Sequence, residues 1–148
     1  MRISLSLLLI VAAAVPACRE SSELAIFGVP GTDRSIVVER RIGHASLSEY
    51  RRRVLLREGS ETLDEAILLV DTGGYSRVNV YRTDDSTLVL RDADASYSVA
   101  VAAGTITRES NRYTDRTFLG SFDVDTAGRW RFISVSERPE LPTEFRGR

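Results

Sequence analysis

One cysteine, Cys18, and one histidine, His44, occur in the 148 residues, and lysine and glutamine are absent altogether. A single cysteine excludes any disulfide within one molecule. A single histidine means that any Ser-His-Asp arrangement or imidazole metal site has to be built on His44, which sits in "IGHAS", where a surface or loop role is expected. The missing lysines make every basic side chain an arginine, which GC-rich codon usage explains without a functional need. There is no Gly-rich phosphate loop, so a phosphate-binding enzyme is not supported. Asp92 and Asp94, like Asp123 and Asp125, have the alternate spacing that begins a calcium loop. Neither pair continues with the further oxygen ligand, fixed glycine and distal glutamate of an EF-hand, so both read as hairpin turns, and no metal or cofactor is expected. No excess charge of one sign is present either. Removing Arg2 with a cleaved leader turns the formal net charge of −1 into −2, which gives no indication of nucleic-acid binding.

Long apolar runs are scarce too, and the longest is Ile3 to Val15, preceded by Arg2 and followed by small residues up to Cys18. It is too short to span a bilayer comfortably and has the layout of a secretory signal peptide. Val15-Pro16-Ala17-Cys18 resembles the lipobox of bacterial lipoproteins, in which the cysteine is diacylated on sulfur and becomes the mature N-terminus. Pro16 departs from the commonest form of that pattern. The resemblance implies a signal peptide over 1–17, lipidation at Cys18 and a membrane partner reached through its acyl chains, since more than one chain makes attachment stable. Arg19 follows the cysteine instead of the aspartate that favours inner-membrane retention in enteric bacteria, so the outer membrane, facing the periplasm, is the expected address.

About 130 residues remain, enough for one domain with a real core. After a short leash over 18–23, the chain over 24–136 divides into brief β-rich runs separated by Gly, Asp, Ser and Thr. Strands are predicted at Leu24 to Val29, Ser35 to Ile42, Leu63 to Val70, Arg77 to Arg82, Thr87 to Arg91, Tyr97 to Ala102, Thr105 to Arg108, Arg116 to Val124 and Arg129 to Val135. Short turn-rich links predict hairpins between sequence neighbours. Ser46 to Gly59 admits two readings. Capping-box spacing of Ser46 and Glu49 suggests a helix, but the β-like flanks favour a strand over Tyr50 to Arg57. Ile67 to Val70, apolar on both faces, reads as a central strand covered on both sides. Phe118, Phe122, Trp130, Phe132, Val99 and Val101 supply material for a two-layer core, so the fold class is all-β, an antiparallel β-sandwich or small partly open barrel built from hairpins. The tail over 137–148 holds Pro139 and Pro142 and reads as irregular.

"LLVDTGGYS" places Asp71-Thr72-Gly73 directly behind an apolar run. With Phe118-Leu119-Gly120, this triplet resembles the elements of retropepsin-like aspartic proteases, all-β subunits of about this size. The resemblance implies a dimer in which two Asp71 carboxylates share a proton and activate a water, Thr72 bracing the loop and Gly73 permitting close backbone approach. Gly74 and Tyr75 stand where that family places a small residue and then Ser or Thr. Asp, Thr and Gly are also what a hairpin needs between Val70 and Arg77, and the turn is the favoured reading.

Two candidate binding surfaces remain. Arg34 to Arg57 holds seven arginines against Glu39 and Glu49, whereas Glu58 to Asp71 holds five acids and no base. Paired strands of opposite sign neutralise one another, which is the plainer reading; the functional one is a basic patch, with Arg51, Arg52 and Arg53 at its centre, facing an anionic envelope polymer or envelope protein. In "SRVNVYR", alternation points Val78 and Val80 one way and Arg77, Asn79 and Tyr81 the other, with Tyr75 beside them, an outward strip of a composition common in protein contacts. The expected function is that of a lipid-anchored envelope protein acting by binding, with the aspartic protease as the alternative.

Overall fold

Alternate apolar positions decide how each strand lies. Ile36 and Val38, Val54 and Leu56, Val78 and Val80, Leu88 and Leu90, and Tyr97 and Val99 are all buried in a single core, which is what period-two patterning produces when one face of each strand is turned inward. In a computed structural model of the chain, residues 22–44, 49–69, 77–83, 87–93, 95–109 and 116–143 are described. They form ten strands and, among the described residues, no helix: β1 (Ser22–Gly28), β2 (Arg34–His44), β3 (Glu49–Glu58), β4 (Glu61–Ile67), β5 (Val78–Arg82), β6 (Thr87–Asp92), β7 (Ala95–Ala100), β8 (Thr105–Glu109), β9 (Thr117–Val124) and β10 (Trp130–Ser134). The ambiguous segment is thus a strand from Glu49 onward.

β1-β2-β3-β4 make a four-stranded antiparallel meander, and β10-β9-β5-β6-β7-β8 make a six-stranded antiparallel sheet. Sequence neighbours pair as hairpins except where β4 crosses to β5 and where β9 returns to lie between β5 and β10. The β3–β4 hairpin turns on two residues, with Gly59 at φ 56° in the first, the position that asks for glycine. β1 packs beside β10 and β4 beside β8, but no strand ladder joins the sheets at either seam, so the two layers form a sandwich and do not close into a barrel.

Side chains tie the layers instead. Trp130 Nε1 donates to the Val38 carbonyl at 3.0 Å, the Ile106 amide donates to Asp64 Oδ2 at 2.7 Å, and Arg34 reaches the Ala102 carbonyl at 3.0 Å. Each crosses from one sheet to the other, so each restrains the sheets where no ladder does.

Ile67 to Val70 is not a central strand. β4 is the edge of its sheet, Ile67 is 82 % exposed and Leu68 is buried; Val70 lies outside the described residues. Here the chain leaves one sheet for the other. The Ile67 carbonyl accepts from Tyr97 Oη at 3.1 Å, the Leu69 amide donates to Asp92 Oδ2 at 3.1 Å, and the Leu69 carbonyl accepts from Arg52 at 2.8 Å. The run is apolar because Leu68 enters the core at the crossing, not because two layers cover it.

Candidate functional site

The outer face of the four-stranded sheet follows from register. Ser22, Arg41 and Arg51 form one row across β1, β2 and β3; Leu24, Glu39, Arg53 and Ile67 form the next across β1 to β4; Ile26, Val37, Leu55 and Glu65 form the third. All point away from the core that holds Val38 and Val54. Within these rows Arg41 donates to Glu39 at 2.9 Å, Arg53 donates to the other Glu39 oxygen, and Arg53 also reaches Glu65 at 3.0 Å. The adjacent segments of opposite sign therefore neutralise one another in part across paired strands, as Arg53–Glu65 and the 2.8 Å Arg34–Glu58 pair show.

Burial of Glu39 favours its neutral form, but the hydrogen bonds from Arg53 and Arg41 outweigh that and hold its carboxyl below the ordinary range. The same contact, led by the hydrogen bond to Glu39, raises the Arg53 guanidinium. Arg51 is exposed and makes no ion pair or hydrogen bond among the described residues. Beside it lies an open groove of about 290 Å³ lined by Glu39, Arg41, Arg51, Arg52, Arg53, Ile67 and Leu68. The guanidinium groups of Arg41, Arg51 and Arg53 beside the exposed Ile67 side chain suit an anionic ligand with an apolar portion. Of the residues that form it, Arg51 and Arg53 were legible in sequence. Arg41 and Ile67 join them only through strand register.

Arg52 is not part of a basic surface. Its side chain points between the sheets, is 2 % exposed and pairs with Asp92 of β6 at 2.9 Å. Alternation places it with Val54 and Leu56, on the side opposite Arg51 and Arg53. Arg40, directly opposite Arg52 in the ladder, is also buried. It pairs with Glu23 at 2.5 Å, and its guanidinium lies between the rings of Tyr50 and Trp130, 4.6 and 4.7 Å from their centroids. Nothing in the local sequence marks Arg40, because Trp130 comes from the other sheet.

The strip of Arg77, Asn79 and Tyr81 does point away from the core, yet it is not an open surface: Asn79 and Tyr81 are each 1 % exposed. Residues 139–142, without regular secondary structure, lie over it. Asn79 Nδ2 donates to the Leu141 carbonyl at 2.8 Å, Arg77 to the Pro142 carbonyl at 2.7 Å, and Tyr81 Oη to Glu140 Oε1 at 2.6 Å. Burial, and then the hydrogen bond to Glu140, push the Tyr81 phenol up.

Cys18, Asp71, Thr72, Gly73 and Tyr75 lie outside the described residues. Gly120, the glycine of Phe118-Leu119-Gly120, answers to packing. It sits in β9 at φ 153°, and a methyl group there would collide with the Ile133 carbonyl oxygen and the Phe132 ring of β10. Asp123 is held by Arg77 and Arg138, and Asp125 accepts from the Ala127 and Arg129 amides in the β9–β10 turn. Among the described residues no group of His, Cys, Asp or Glu is arranged to hold a metal ion. No family model matches the chain, and no curated protein and no solved structure matches it either.

Proposed function

We propose that this chain is a lipid-anchored bacterial cell-envelope protein, held by acyl chains on Cys18 at the outer membrane and facing the periplasm, and that it acts by binding. The anchor rests on the signal-peptide layout and the lipobox resemblance of Val15 to Cys18. The observation that carries the binding reading is the groove on the outer face of the four-stranded sheet. There Arg51 has no counter-ion among the described residues, Arg41 and Arg53 share Glu39, and Ile67 exposes an aliphatic surface. A guanidinium without a counter-ion beside apolar surface favours an anionic group attached to a less polar body, the chemistry of an envelope polymer or an acidic protein segment. An assembly, inhibitory or structural accessory role is consistent with such a surface.

Two measurements test this. Fractionation of wild type and Cys18→Ser examines the anchor: wild type is expected to need detergent for release and the variant to be released without it, whereas a salt wash that frees wild type overturns lipidation. Binding of a soluble chain starting at Glu20 to anionic envelope polymer examines the groove. Arg51→Glu is expected to weaken binding about tenfold or more, with a matching loss of salt dependence. Equal binding by wild type and Arg51→Glu removes the groove from the function.

A further inference from the structure

The strap over residues 139–142 is held in a way that core-completing segments are not. Among the described residues no main-chain to main-chain hydrogen bond joins it to either sheet. Two of its three tethers run from side chains of β5 and the residue before it to consecutive main-chain carbonyls, those of Leu141 and Pro142. Any extended peptide presents such carbonyls, and proline, which has no N–H, is recognised through them. The third tether, Tyr81 to the Glu140 carboxylate, asks for an acid one residue before. The bound stretch therefore reads Pro-Glu-Leu-Pro.

The receiving groups are set independently of the strap. Ser121 Oγ donates to Asn79 Oδ1 at 2.9 Å and Asn79 Nδ2 donates to Tyr81 Oη at 3.1 Å, while Arg77 is fixed on Asp123 at 2.8 Å. The Tyr81 ring is braced by Phe118 and carries the Arg116 guanidinium 4.1 Å above it. Arg116 Nη1 is buried with no hydrogen-bond partner among the described residues, a spare donor on the guanidinium that covers the Tyr81 ring. Preset donors need little reorganisation to accept a peptide. With the strap lifted, water can satisfy Asn79, Ser121 and Tyr81, so opening strands none of these three groups.

We propose that the outer face of the six-stranded sheet is a docking site for an extended, acidic, proline-containing peptide segment of another protein, and that residues 139–142 occupy it in cis. The site lies on the opposite layer from the arginine groove and does not rest on it. A tethered tail acts at an effective concentration of about millimolar, so wild type excludes a competing peptide at micromolar levels.

The probe is a fluorescent peptide with the sequence of residues 137–145, followed by anisotropy. It is added to wild type, to a chain ending at Arg138, and to full-length Glu140→Arg, which breaks the Tyr81 contact without removing the tail. Circular dichroism and urea unfolding report whether each variant is folded. The peptide is expected to bind a folded variant about tenfold or more tighter than wild type, and Asn79→Leu in that background is expected to abolish the gain. A scrambled peptide is expected not to bind. Failure of every folded variant to bind, or unfolding of both, makes the tail a fixed part of the core and overturns the proposal. Concentration-dependent dimers of the full chain with exchanged tails would assign the face to a second copy, and also overturn it.

Discussion

Arg52 of β3 and Asp92 of β6 meet at 2.9 Å across the two sheets, with side chains 2 % and 1 % exposed, and both also hold the main chain of Leu69. One ion pair thus clamps the point where the chain passes from the first sheet to the second. Arg52→Ala leaves Asp92 buried without its cation, and is expected to destabilise the fold by about 3–5 kcal/mol. Replacing both residues with apolar side chains is expected to cost less than the single change. Urea unfolding of the three chains measures the difference, and a loss below about 1 kcal/mol for Arg52→Ala would reduce the clamp to a surface-like pair.

Gly120→Ala introduces a methyl group where β9 approaches the Ile133 carbonyl and the Phe132 ring of β10. Phe132 stacks with Phe27 at 4.5 Å and with Phe122 at 5.3 Å, so it has little room to yield. The expected loss is about 2–4 kcal/mol, from overpacking and a disfavoured φ together. Gly128→Ala, whose added methyl meets nothing within contact distance, is the comparison, and carries only the backbone cost. Similar thermal midpoints for the two variants would refute the close-approach account.

The carboxyl of Glu39 is held below its ordinary value of 4.5 despite burial, because Arg53 and Arg41 donate to it. The folded state therefore binds this proton less tightly than the unfolded chain. Its contribution to stability is present above pH 4.5 and is lost as pH falls through the lowered value. Thermal midpoints of wild type from pH 7 to pH 3 are expected to fall more steeply than those of Glu39→Gln. Parallel curves would show that the Arg41–Glu39–Arg53 bridge contributes nothing in acid.

Asp71→Asn tests the protease alternative. A binding protein with Asp71 in a turn is expected to cleave no peptide in a mixed library between acid and neutral pH, with or without the substitution. Cleavage by wild type that disappears in Asp71→Asn would establish a shared-carboxylate active site.

Strand positions were readable from the residues alone. Val78 and Val80 alternate with Asn79 and Tyr81, and "DTAG" and "EGSE" carry turn chemistry, features that depend on neighbours only a few positions away. Such local rules yield an all-β class and nine of the ten strands seen among the described residues, and leave β3 between helix and strand. They also mark a basic patch at Arg51, Arg52 and Arg53, but not that Arg52 turns away from it.

Which faces are wet is another matter. Alternation puts Asn79 and Tyr81 outward, but Glu140 and Leu141, some sixty positions later, cover them. Arg52 reads like its neighbours Arg51 and Arg53 until Asp92, forty residues on, meets it between the sheets. Ile67 and Leu68 read alike, and only the crossing between layers exposes one and buries the other. Periodicity and turn chemistry are properties of adjacent residues, so the chain alone specified the strands and their two faces. Burial depends on what distant segments bring to each face, and that was settled by how the two sheets and the tail pack together.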